Sequence, residues 1–147
     1  MSNYFAGGLG FKLGYESTYV PPQMTYRMGA CGAKLTTPNG VFTSPSYPDN
    51  YPNNADCVYT ITSEAGTKIA MTILSMDIEF GDPDYYQYDN YIDSDYHQFG
   101  GLTCWDYLEV RDGATEQSSL IDGYCGSSEH LSLPIEIIST QNKLWIR

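Results

Sequence analysis

Helix signals are weak along this chain, and short runs of alternating apolar and polar residues dominate. In "CVYTITS", Tyr59 and Ile61 fall on one side and Val58, Thr60 and Thr62 on the other. "TKIAMTILSMDIEF" sets Ile69, Met71 and Ile73 on one face, as a half-buried strand does. "WDYLEVRDG" turns Leu108 and Val110 inward and closes on Asp112-Gly113, a turn signal. "IEIISTQNKLWIR" places two apolar runs around Gln141-Asn142 and predicts a hairpin. Pro, Gly, Asn and Asp punctuate these runs. Many short strands separated by turn residues predict an all-β sandwich or barrel.

Three stretches break the pattern. "STYVPPQMTYRMGA", residues 17–30, has paired prolines and no core face, and reads as a linker. "TTPNGVFTSPSYPDNYPNN", residues 36–54, carries four of the eight prolines together with Val41 and Phe42. Proline denies the ladder a donor, so this stretch predicts an edge strand and turns rather than a central strand. Residues 80–103 are polar and tyrosine-rich. Their middle, 82–96, holds five Asp and five Tyr with no Lys or Arg.

Composition narrows the class. At 147 residues and 41% hydrophobic, the chain can pack one domain, or one domain and a fragment. Seven Lys and Arg against eighteen Asp and Glu give a net charge of -11. Such a surface repels phosphate backbones, so nucleic acid is excluded as a partner and cations or basic proteins are favoured. No apolar run approaches the roughly 20 residues that cross a bilayer, so membrane association is expected only through other parts of a longer protein. The N-terminus does not read as a secretory signal. Four cysteines, Cys31, Cys57, Cys104 and Cys125, form no C-x-x-C pair and fit no common zinc spacing. Two disulfides in an oxidising compartment are the expectation, and spacing alone leaves three connectivities open. An extracellular chain without a signal reads as a piece of a longer one.

From Cys31 onward the chain resembles a CUB domain. The residues that carry the resemblance are "ACGAKLTTPNGVFTSPSYPDNYPNNADCVYTI", then "IEF", "CWDYLEVRDG", "LIDGYCG" and "STQNKLWIR". The texture is most similar to the CUB arrays of cubilin-like receptors. The resemblance implies a jelly-roll-like antiparallel β-sandwich and the disulfides Cys31–Cys57 and Cys104–Cys125. It marks 31–147 as a CUB domain lacking its last strand, with a long insertion at 80–103. "GGLGFKLGYES" resembles the ending the domain lacks, so residues 1–17 read as the C-terminal strand of a preceding CUB domain and 18–30 as the linker. The alternative is that this N-terminal strand fills the missing position in the same sandwich.

The resemblance also implies a calcium site at one end of the sandwich. Its matching residues are Glu79 in "MDIEF" and Asp106 in "CWDY", with a third acidic ligand expected beyond Arg147 and absent from this chain. Tyr51 in "SYPDNYP" matches a tyrosine that supports this end. Partners of the family present a Lys or Arg to the calcium-ordered acids, so Tyr51, Glu79 and Asp106 are the expected partner-binding residues. Calcium is the expected cofactor of the intact domain.

Other chemistry is poorly supported. Asp82, Asp84, Asp89, Asp93 and Asp95 could gather a cation, but they lack the spacing of a calcium-binding loop, and an exposed contact loop is the simpler expectation. His97 and His130 stand in polar contexts, and no motif of a nucleophile elbow, metalloprotease or phosphate loop occurs. The function expected is a non-catalytic, calcium-dependent protein-binding module of a multi-CUB endocytic-type receptor, extracellular or on the cell surface. The alternatives are a targeting (exosite) module of a secreted tolloid- or complement-type protease, and a structural extracellular spacer.

Overall fold

The computed structural model describes residues 8–17, 24–81 and 97–147. In chain order the strands are β1 (Gly10–Ser17), β2 (Met24–Gly29), β3 (Ala33–Leu35), β4 (Asn39–Pro45), β5 (Tyr59–Thr62), β6 (Ile69–Ile78) and β7 (Phe80–Gly81). Then come β8 (His97–Phe99), β9 (Leu102–Cys104), β10 (Leu108–Asp112), β11 (Ser119–Tyr124), β12 (Gly126–Ser127), β13 (Ile135–Ile138) and β14 (Lys143–Ile146). No helix occurs among the described residues. One sheet runs β12-β6-β1-β4-β2, with β13 also paired to β6. A second runs β11-β10-β14-β5-β3, and a small third sheet runs β7-β9-β8.

The two larger sheets bury their facing sides against each other, which makes the fold a β-sandwich. Phe11, Leu13, Phe42, Ile69, Met71 and Ile73 of the first meet Tyr59, Ile61, Leu108, Val110, Leu144 and Ile146 of the second in one core cluster. The Tyr59 ring lies 4.9 Å from that of Phe42 and 6.0 Å from that of Phe11, so aromatic contacts join the layers. The period-two patterns of β5, β6 and β10 appear as read. One detail of β6 goes further: the β1–β6 register passes from Lys12↔Ser75 to Leu13↔Ile73, skipping Leu74. That extra residue shifts the phase of the strand. Ile69, Met71 and Ile73 are therefore buried, Leu74 is exposed, and Met76 and Ile78 are buried again.

Three expectations change. The stretch around Val41 and Phe42 is not an edge: β4 pairs with β1 on one side and β2 on the other. Its prolines sit at or outside the strand ends, so Asn39 to Ser44 keep the donors a central strand needs. Within the stretch read as a linker, Met24–Gly29 pairs in parallel with β4, because backbone ladders require no alternation of side chains. The runs on either side of Gln141-Asn142 form no hairpin. β13 joins β6 in one sheet and β14 joins β5 and β10 in the other. Ser139 makes that corner: its hydroxyl accepts from the Ile69 amide at 2.8 Å and donates to the Gln141 carbonyl at 2.5 Å.

The N-terminal strand takes a central place. β1 runs antiparallel to both β4 and β6, and Phe11 and Leu13 are fully buried. In the structure this strand lies in one sheet with β4 and β6 of residues 31–147. Disulfides join Cys31 to Cys57 and Cys104 to Cys125, with Cα separations of 4.9 Å and 5.8 Å.

Candidate functional site

Tyr51, Glu79 and Asp106 come from three separate segments and meet at one end of the sandwich. Tyr51 lies in the loop between β4 and β5 and is 1% exposed. Glu79 links β6 to β7 and is half-buried. Asp106 follows Cys104, where the disulfide and β9 hold the chain, and it is fully buried.

Hydrogen bonds connect all three. The Tyr51 hydroxyl donates to Asp106 Oδ2 at 2.8 Å and accepts from the Glu79 amide at 3.2 Å. The Asp106 amide donates to the Glu79 carbonyl at 3.3 Å. One phenol thus fixes both the carboxylate of one acid and the backbone of the other. A fully buried carboxylate is costly unless hydrogen-bonded, so Tyr51 makes the position of Asp106 tenable.

The donor chemistry suits a hard cation, since both acids offer oxygen ligands. Two carboxylates are a part of the six to eight oxygens that calcium takes. Among the described residues, no group of three or more His, Cys, Asp or Glu is placed to hold a metal. Asp82, Asp84, Asp89, Asp93 and Asp95 lie outside the described residues.

Several neighbours escaped the sequence reading. Trp105, beside Asp106, is 37% exposed, and its indole lies over Gly81: a Cβ there would come 2.7 Å from Nε1. On the other side β1 begins against Tyr51. A Cβ on Gly8 would come 2.9 Å from the tyrosine ring, and one on Gly10, at φ +84°, would run into the Ser44 hydroxyl. The signal was available in "GGLG", where small residues mark a close approach. The histidines do separate work. His97 packs its ring 4.2 Å from that of Tyr107, and His130 lies 4.2 Å from Phe80 and contacts Ser127 within one turn.

The comparisons with known proteins follow the same lines. A family model for the CUB domain matches residues 31–147. Cubilin from Canis lupus familiaris is 35% identical over 135 residues, covering 92% of this chain and 3% of that protein. Tolloid-like protein 2 from Homo sapiens is 32% identical, covering 95% of this chain and 10% of its own length. Neuropilin-2 from Rattus norvegicus is 33% identical, covering 86% of this chain and 12% of its own length. The chain therefore spans a small part of each of these relatives.

Proposed function

The chain belongs to the CUB domain family, and from that premise we propose that it is a non-catalytic, extracellular protein-binding module. Its ligand-facing end is formed by Tyr51, Glu79 and Asp106. The observation that carries this reading is the set of hydrogen bonds through which Tyr51 holds the Asp106 carboxylate and the Glu79 backbone together.

Glu79 and Asp106 would hold calcium, which when bound neutralises two neighbouring acids and fixes their orientation. Tyr51 keeps Asp106 in place. The acids then face a Lys or Arg of a protein ligand, and charge-assisted hydrogen bonds supply the attraction. The two disulfides support an oxidising, extracellular setting. The cubilin relatives favour a multi-CUB receptor of endocytic type. The tolloid-like relatives support a second reading, in which the same surface directs a protease domain elsewhere in a longer protein.

The test is surface plasmon resonance with the chain immobilised and a lysine-bearing protein ligand in solution, beside its acetylated form. Binding is expected in calcium, with about tenfold loss on adding chelator, on acetylation or in Glu79→Gln. Affinity unchanged in excess chelator contradicts the reading.

A further inference from the structure

β1 is fitted to its place residue by residue. Phe11, Leu13 and Tyr15 alternate inward and are all buried, while Lys12, Gly14 and Glu16 face outward. Gly10, at φ +84°, lies against the Ser44 hydroxyl, and that hydroxyl accepts from the Phe11 amide at 3.1 Å. The Phe11 ring meets those of Phe42 and Tyr59. The Tyr15 ring lies over Gly40, where a Cβ would collide with it, and its hydroxyl shares a 2.8 Å hydrogen bond with Thr37 Oγ1. Ladders flank the strand on both sides, from Lys12↔Thr43 to Glu16↔Asn39 and from Gly10↔Asp77 to Ser17↔Ile69. The place between β4 and β6 thus selects a sequence, Gly-Phe-x-Leu-x-Tyr, and not merely an extended backbone.

The strand is also separable from the unit that holds it. The CUB family match begins at Cys31, so β1 stands outside the matched residues, whereas β4 and β6 stand inside them. Both disulfides lie between Cys31 and Cys125, so neither ties β1 down. The connection to β2 has slack. Glu16 and Met24 lie on opposite sides of Asn39, two strand spacings or about 10 Å apart. The backbone from residue 16 to residue 24 can reach up to about 26 Å when extended.

We propose that the place between β4 and β6 is a strand acceptor that also takes this segment from a second copy of the chain, giving a dimer by reciprocal exchange. A second copy carries the very sequence the place is shaped for, so each contact named above re-forms between chains and none is lost. Concentration then decides the outcome. A short flexible connection holds its own strand at an effective concentration of about 1 mM. Exchange competes when copies are crowded to that level and gives way to the closed monomer in dilute solution. Once formed, the dimer separates only by withdrawing Phe11 and Leu13 from the core, so it outlasts dilution. This proposal does not rest on the calcium reading.

The test is refolding of the full chain from urea with its disulfides intact, followed by light scattering on a sizing column. Refolding at about 1 mM is expected to give dimer and monomer in comparable amounts, and at about 1 µM dimer should fall below about 1%. The dimer should persist for hours after dilution. Isotope-labelled and unlabelled chains refolded together should give mixed dimers in native mass spectrometry, whereas dimers mixed after folding should give none. Deleting residues 18–23 joins Ser17 directly to Met24. Glu16 to Met24 then reaches only about 7 Å, short of the gap of about 10 Å, so closure within one chain is blocked and the shortened chain should be wholly dimeric. No dimer from the parent at about 1 mM, a dimer that dissociates on dilution or trades chains without unfolding, or a folded monomer of the shortened chain overturns the proposal. If the shortened chain does not fold, the parent chain's dimer alone decides.

Discussion

Tyr51 and Asp106, 55 residues apart in sequence, are joined by a buried 2.8 Å hydrogen bond between the phenol and the carboxylate. The same phenol oxygen receives the Glu79 amide. The end of the sandwich is therefore organised around a neutral hydroxyl that braces two acids.

Replacing that hydroxyl tests the brace. Tyr51→Phe keeps the ring and removes one donor to a fully buried carboxylate and one acceptor for an amide. Stability to urea is expected to fall by about 1–3 kcal/mol. A midpoint unchanged from the parent chain would show that the hydroxyl is dispensable.

The N-terminal strand should be essential to the sandwich. Phe11 is fully buried and packs edge-on against Phe42 and Tyr59 at 6.3 Å and 6.0 Å. Phe11→Ala is expected to cost about 3–5 kcal/mol in chemical denaturation, as truncation of a buried aromatic does. A surface-like loss below about 0.5 kcal/mol would mean that β1 is not held between β4 and β6 in solution.

Stability should weaken at both pH extremes for identifiable reasons. The bidentate Arg147 guanidinium holds the Asp56 carboxyl below the usual carboxylate range. This contribution is present above the unfolded carboxylate's titration and fades as pH falls through the lower folded value. The pair is exposed, so Asp56→Asn should cost less than about 1 kcal/mol at neutral pH and nothing in acid. Burial, and then the neighbouring Asp122, push the Tyr124 phenol up to about 12. The folded chain thus keeps a proton that the unfolded chain loses near pH 10, so stability falls between about pH 10 and 12. Urea titrations across pH check both, and Tyr124→Phe should flatten the alkaline loss.

Much of this fold was legible because core strands obey a period of two. Tyr59 and Ile61, Ile69, Met71 and Ile73, and Leu108 and Val110 all point inward as their spacing requires. The failures have physical causes. Prolines at the ends of β4 read as an edge signal, although the residues between them keep their amides. The apolar runs around Gln141-Asn142 suit a hairpin or a corner equally, and the long-range pairing of β13 with β6 and of β14 with β5 and β10, with the Ser139 contacts to β6, makes the corner. The place of β1 turned on which sandwich its apolar face joined, which no local pattern states. At the candidate site, Glu79, Asp106 and Tyr51 could be named through the resemblance. The approach of Gly8 and Trp105 to them depends on how distant segments pack.

The central claim is that Glu79 and Asp106 act together on one calcium ion and, through it, on a basic ligand. The most direct measurement is the melting temperature of the chain with and without calcium, in the parent and in Glu79→Gln. Extracellular calcium modules bind at about 10⁻⁴–10⁻³ M, and calcium at tenfold the Kd stabilises by about 1.4 kcal/mol. For a chain of this size a rise of several degrees, about 3–6 °C, is expected in the parent and none in Glu79→Gln. An equal shift in both chains, or no shift in the parent, would contradict the claim.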